Sequence, residues 1–295
     1  MNLNGRREST NVDDRRGRGG NKASLGGLGL GGIIIAALIA WLMGGDPMAV
    51  VVNGVTDGMT TTQSEVYEQT ADGHTFTPEE EALAKFSRQI LAGTEDVWAE
   101  EFKKMGRTYE PPRMVLYTGS VRTSCGNGSS SMGPFYCSGD QCLYIDLSFF
   151  KEMKTQLGAD GDFAYAYVIA HEVGHHVEYL LGTLDDAHSR MAQLSQKEAN
   201  KVSVRLELLA DFYAGVWAYH DNEMFASIED GDLEEAIKCA EVIGDNYLQE
   251  HARGYSQPET FTHGTSAQRM KWLKLGLTTG DMKRGTTFEM SDREL

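Results

Sequence analysis

His171, Glu172 and His175 carry the plainest chemical meaning in this sequence. In His171-Glu172-Val173-Gly174-His175 the two histidines stand four positions apart. On a helix that spacing puts both imidazoles on one face, where they can share one Zn²⁺. Glu172, next to the first histidine, can reach a water on such an ion. It can act as general base and then pass the proton to a leaving amine. Three fixed positions also recur by chance, so the context has to decide. Tyr165 to Ala170 ahead of the motif is apolar, which predicts a buried helix. Two histidines and a glutamate on a buried face need partners, because unpaired buried polar groups are costly.

A catalytic zinc takes a third protein ligand and keeps one position open. The metzincin solution needs Gly three residues after His175 and His six after it. Those positions hold Glu178 and Leu181, which excludes that class. A glutamate from a later helix is the other common solution, and Arg205 to Gly215 supplies one. Glu207 and Asp211 lie four apart among Leu206, Leu208, Leu209, Phe212 and Tyr213. Glu207 can complete the metal site. Asp211 can bond the outer nitrogen of a ligand histidine and fix its tautomer. Glu178, Asp185 and Glu198 are weaker alternatives. His176 points about 100° away from His175 around the helix and reads as structural. His74, His188, His220 and His251 have no partner pattern.

These residues need helices to hold them. Thr77-Pro78-Glu79-Glu80 has the composition of a helix start, and apolar positions at helical spacing carry that helix to about Lys104. Arg113–Tyr117 and Leu143–Leu147 read as short strands around a Gly/Ser-rich loop over 119–141, with Ser148 as a cap for a helix. The second strand is a candidate for pairing with an extended substrate. Helices are expected over 162–182, about 186–221 and 232–253, and a last one starts near Ser266, where Thr265 and Gln268 have capping-box spacing. The fold class is therefore α+β, mainly helical with a small sheet.

Ahead of this domain, residues 1–22 are polar and Gly- and Arg-rich and read as a disordered tail. Ala23 to Gly45 carries no charge and is long enough at ~1.5 Å per residue to cross a hydrocarbon core of ~30 Å. It reads as a retained transmembrane signal anchor rather than a cleaved signal peptide. With the basic flank ahead of it, the positive-inside rule puts the tail in the cytoplasm and the rest outside, a single-pass arrangement in the cell membrane. Residues 46–78 are a linker, and the domain spans 79–290. Among the 295 residues the net charge is −16, with +3 on residues 1–44 and therefore −19 on the remainder. An acidic body argues against nucleic acid as a partner.

The combination of His171-Glu172-Val173-Gly174-His175-His176 with Gly133-Pro134-Phe135-Tyr136-Cys137, Tyr144 to Phe150 and the helix from Glu207 to Asp211 resembles the neutral zinc metallopeptidase family of bacterial membrane proteins. Its site arrangement is similar to that of the gluzincin clan, including the CAAX prenyl endopeptidases. The resemblance implies a gluzincin-like fold, one catalytic Zn²⁺ held by His171, His175 and Glu207, and a peptide or protein substrate. It also suggests that His263, just before the last helix, serves the site as oxyanion donor. Gly264 stands where those relatives often have Pro. Tyr213, Tyr219 and Tyr255 are other candidates for that donor.

Four cysteines, Cys125, Cys137, Cys142 and Cys239, form no repeated CxxC pair, which argues against a structural zinc site. Three pairings are open in a domain placed outside the membrane. The resemblance favours Cys125 with Cys137 and is silent on Cys142 and Cys239, which would remain as a second, longer-range pair or as buried free thiols. The expected function is hydrolysis of a peptide bond. Its rival is a catalytically silent metal-binding scaffold or receptor with a protease-like fold.

Overall fold

The structure is a computed structural model that describes residues 1–17 and 76–295. The long entry helix α1 (Pro78–Lys104) starts as its sequence predicts: the Thr77 side chain accepts from the Glu80 backbone N–H, and the Glu80 carboxylate accepts from that of Thr77. Acidic residues in its first turn and lysines in its last oppose the ends of the helix dipole. Its inner face buries Ile90, Leu91, Val97, Trp98 and Phe102.

The main sheet has four strands, with β1 (Val12–Asp14) at one edge, then β2 (Arg113–Tyr117), β6 (Cys142–Asp146) and β5 (Phe135–Cys137). Strand β2 runs parallel to β6, and β5 lies antiparallel on the other side of β6. The stretch expected to be only a loop therefore contains β5, and it also contains the antiparallel hairpin β3 (Ser120–Thr123) and β4 (Gly126–Ser129). The disulfide Cys125–Cys137 ties that hairpin to β5. Cys142 and Cys239 are buried free thiols and not a second bridge. Ser148 is no cap. Leu147 holds that position, and the Ser148 backbone N–H donates to Asp146 Oδ1 at the start of α2 (Ser148–Glu152).

The helical layer is α3 (Asp162–Leu181), α4 (Thr183–Met191), α5 (Gln196–Phe225), α6 (Asp232–Val242), α7 (Asp245–Arg253) and α8 (Ser266–Thr279). Two expected helices are each split. The helix expected from about 186 ends at Met191, and a new one starts behind Ser195, whose side chain accepts from Glu198 N–H. The helix expected over 232–253 breaks at Gly244, where a Cβ would come within 2.4 Å of the Ser266 backbone nitrogen.

Glycines let the central helices touch backbone to backbone. A Cβ on Gly174 of α3 would lie 2.9 Å from the Ala210 carbonyl oxygen of α5. On the other side of α5, a Cβ on Gly215 would lie 2.4 Å from Leu273 O, and one on Gly276 would lie 2.2 Å from Phe212 O. Helices α3, α5 and α8 thus pack at the closest approach their backbones allow.

The first residues depart from the expected disordered tail. Strand β1 (Val12–Asp14) pairs parallel with β2, Val12 opposite Met114. Met1 and Leu3 pack against the main core, and the Met1 amino group lies 2.9 Å from Asp162, the first residue of α3. Composition suggested disorder because the segment has few apolar residues; its partners are acids and carbonyls far along the chain. The uncharged stretch from Ala23 to Gly45 and most of the expected linker lie outside the described residues. Among the described residues no helix is long and apolar enough to cross a membrane.

Candidate metal centre

Helix α3 is buried along most of its length, with Phe163, Ala166, Tyr167, Ile169, Ala170, Val173 and Val177 in the core. Four-residue spacing puts His171 and His175 side by side, their rings 4.8 Å apart. The close approach at Gly174 brings α5 against the same face, so Glu207 meets both rings. His171 Nε2 lies 3.2 Å from one Glu207 oxygen, and His175 Nε2 lies 3.6 Å from the other. One donor atom from each of the three residues falls within 4.8 Å of the others. Tetrahedral Zn²⁺ with N and O ligands at about 2.0–2.2 Å needs donors roughly 3.3–3.6 Å apart, so the residues present fit this ion.

The outer nitrogens are fixed by buried carboxylates. His171 Nδ1 is 2.8 Å from Asp211 Oδ1, and His175 Nδ1 is 2.9 Å from Glu178 Oε2. Asp211, fully buried, also accepts from the Tyr167 hydroxyl at 2.5 Å and from Arg269 Nε and Nη2 at 2.8 and 2.9 Å. Each imidazole therefore turns its Nε2 toward Glu207 with its rotation blocked, the arrangement that orients metal-binding histidines. Glu178 had been a weak ligand candidate; its carboxylate faces the back of His175 instead. Asp185 and Glu198 are exposed, and Glu198 pairs with Lys201.

The electrostatics follow from burial and close charges. Burial pulls the His171 imidazole down, but Asp211 and Glu207 outweigh it and raise its pKa to about 10. His175 is raised against burial by Glu207 and Glu178. Burial would raise Glu207, yet His263, His175 and His171 hold it well below the usual carboxylate range. Asp211 resists burial through Arg269 and His171 and falls to about 2. Glu172 is raised by burial, against the pull of His171 and His175. Glu178 is pushed up to about 7 by burial, against His175.

His263 stands in the loop before α8. Its Nδ1 is 3.1 Å from Asp245 Oδ1, while Asp245 Oδ2 accepts from the backbone N–H groups of Thr262, His263 and Gly264. One fully buried carboxylate thus shapes the loop and orients the ring. Gly264 has φ +94°, a region L side chains rarely adopt, which accounts for glycine at this position. Tyr255 is exposed, with Arg253 over its ring, and Tyr219 packs under Gly280. Tyr213 lies edge-on to Trp98.

His176 points away from this group. Its Nδ1 is 2.9 Å from the Tyr136 hydroxyl and its Nε2 is 2.7 Å from the Glu110 carbonyl oxygen. Burial lowers its pKa to about 4. His188 feels the charge of His175, His251 stacks on Tyr247, and His220 bonds Gly280 O and Glu223; His74 is outside the described residues. Strand β6 is paired by β2 along its whole length and by β5 over Cys142–Tyr144, which leaves only Ile145 and Asp146 without a β5 partner. Arg269, Tyr167 and Asp245 were not singled out from sequence. An arginine among Met270, Trp272 and Leu273 on an apolar helix was the available signal for Arg269.

A family model described as "Putative neutral zinc metallopeptidase" matches residues 1–288. The Escherichia coli (strain K12) protein named "Uncharacterized protein YpfJ" is 46% identical over 299 aligned positions, covering 99% of this chain and all of that protein. "Uncharacterized protein Rv2575" of Mycobacterium tuberculosis (strain H37Rv) is 42% identical over 194 positions, covering 62% of this chain and 64% of that protein. No solved structure matches the chain.

Proposed function

We propose, from the premise that this chain belongs to the neutral zinc metallopeptidase family, that it hydrolyses peptide bonds at a single zinc held by His171, His175 and Glu207. One observation carries the reading: three donor atoms converge to within 4.8 Å of one another while a buried carboxylate fixes the back of each imidazole. When bound, zinc supplies a Lewis acid that polarises the scissile carbonyl and acidifies a water. Glu172, its carboxyl raised by burial, takes a proton at a side-chain oxygen and returns it to the leaving amine. Asp211 and Glu178 hold the two imidazoles in the tautomer that leaves each Nε2 for the metal. His263, oriented by Asp245, would donate to the oxygen on which negative charge develops.

Peptides or proteins are the substrates under this reading, and an acidic chain makes nucleic acid a poor partner. A position outside the cytoplasm is also proposed, supported by the Cys125–Cys137 disulfide, since such bonds persist in oxidising compartments. Attachment to a membrane through Ala23–Gly45 is proposed from its lack of charge alone.

The test is to purify the full chain, measure bound metal, and profile cleavage of a mixed peptide library with Glu172→Gln as control. Wild type should hold about one zinc and cleave; Glu172→Gln should keep the zinc and lose cleavage. Undiminished cleavage by Glu172→Gln would remove the general-base role. Zinc retained with no cleavage by either protein would favour a metal-binding scaffold.

A further inference from the structure

The basic residues ahead of the uncharged stretch are what make the first residues read as a cytoplasmic flank. In the fold, four of those arginines are partners of acids. Arg6 lies 2.7 Å from Asp221 in a pair almost removed from water, with 9% and 1% of the two side chains exposed. Arg7 is 2.6 Å from Asp96 and 2.8 Å from Glu95, and it also donates to the Ala92 carbonyl oxygen. Arg15 pairs with Asp13. Arg16 is 2.7 Å from Asp14 and 2.8 Å from Glu81, and its guanidinium lies 4.2 Å from the centre of the Phe76 ring. Arg18 and Lys22 lie outside the described residues.

Main-chain and polar contacts continue the same clasp. Strand β1 pairs with β2 over three residues. Ser9 N–H donates to Arg88 O, the Gln89 amide donates to the carbonyls of Leu3 and Arg6, and Ser9 and Asn11 both donate to Glu95. The family match also begins at residue 1, so it includes this segment.

We propose that residues 1–17 and the metal-bearing domain lie on the same side of the membrane, so that the chain between Gly17 and Phe76 crosses it either not at all or an even number of times. A single crossing by Ala23–Gly45 would separate Arg16 from Phe76 by a hydrocarbon core of ~30 Å, whereas the two touch. It would also leave the buried Asp221 without its cation, and it would strip β2 of one neighbouring strand. Arginines neutralised inside the domain carry no information about the cytoplasm, so the positive-inside argument no longer applies to them. The inference goes beyond the peptidase reading and does not depend on it.

Cysteine labelling of the full chain tests it. Cys125 and Cys137 are bridged and Cys142 and Cys239 are buried, so an added surface cysteine is the reactive one. Asn4→Cys reports on the first segment and Ala252→Cys, on exposed α7, on the domain. A membrane-impermeant maleimide is applied to spheroplasts, then again after detergent. Both cysteines should label to the same extent, within about twofold, at each stage. Labelling of both before detergent puts the shared side outside the cytoplasm; labelling of both only after detergent puts it inside. Either outcome supports the proposal. Labelling of Ala252→Cys in spheroplasts with Asn4→Cys protected until detergent, or the reverse, would overturn it.

Discussion

Arg269 grips Asp211 through two nitrogens, Nε to Oδ2 at 2.8 Å and Nη2 to Oδ1 at 2.9 Å, while the same Oδ1 lies 2.8 Å from His171 Nδ1. An arginine on α8 is thereby linked through one carboxylate to a proposed metal ligand on α3. Arg269→Met should leave a fully buried aspartate without its guanidinium partner and cost about 3–5 kcal/mol, read from denaturant midpoints. Arg269→Lys should recover only part of that, because an ammonium cannot reproduce the two-nitrogen contact. A loss below ~1 kcal/mol for the methionine variant would mean the charge on Asp211 is met in another way.

Glu207→Ala removes one of three proposed ligands. Bound zinc in the purified protein should fall to a small fraction of the wild-type content. Glu178→Gln keeps the shape behind His175 but loses the negative charge, and should weaken zinc by roughly 10–100-fold in chelator competition. Zinc content in Glu207→Ala equal to wild type would identify a different third ligand.

Zinc uptake should depend on pH. In the metal-free site the pKa values of His171 and His175 are raised, that of His171 to about 10. At that value His171 holds its proton at neutral pH and loses it only as pH climbs through about 10, and His175 is shifted in the same direction. Protons therefore compete with zinc most strongly at low pH, and apparent affinity should increase from pH 6 to 8. Calorimetric titration at pH 7 in two buffers of different ionisation enthalpy should show net proton release. Identical heats in the two buffers would contradict these protonation states.

Gly174→Ala introduces a methyl group where Ala210 O would lie 2.9 Å away. Neither backbone can rotate aside, so α3 and α5 must separate. The expected cost is about 1–3 kcal/mol, accompanied by weaker zinc binding because Glu207 rides on α5. Stability lost without any change in zinc affinity would show that the helices separate without moving the donors.

His263→Ala should keep zinc and lower kcat by ~10²–10³, the typical effect of losing one oxyanion donor. Asp245→Asn retains most of the loop geometry but not the charge behind the ring, and should give a smaller loss of the same kind. Unchanged kcat in His263→Ala, on any peptide the wild type cleaves, would take His263 out of the mechanism.

Local signals were legible in the sequence and distant ones were not. The start of α1 could be read from Thr77, Pro78 and the acids behind them, and that of α8 from the capping-box spacing of Thr265 and Gln268, all within four residues. Likewise the spacing of His171 and His175 is a property of one helix. The breaks at Ala192–Ser195 and Gly244 could not be read from periodicity. At Gly244 the cause is the backbone of Ser266, twenty-two residues on. Arg269 bonds an aspartate 58 residues earlier, and no local pattern announces that. The arginine-rich start looked like a solvated tail for the same reason: its countercharges at Glu81, Glu95, Asp96 and Asp221 are remote in sequence.

The glycine contacts have a mechanical consequence for ion choice. At Gly174 on α3 facing Ala210 on α5, and at Gly215 and Gly276 between α5 and α8, backbone meets backbone, so at these points no rotamer can change to absorb a displacement. The span between the two histidines and Glu207 is anchored beside one of these points, at Gly174. Such a cradle selects by refusing to widen. Calcium, which takes oxygen ligands at about 2.3–2.6 Å in flexible shells of six to eight, would have to push two backbones apart and would find one carboxylate and two imidazoles, a donor set that suits zinc.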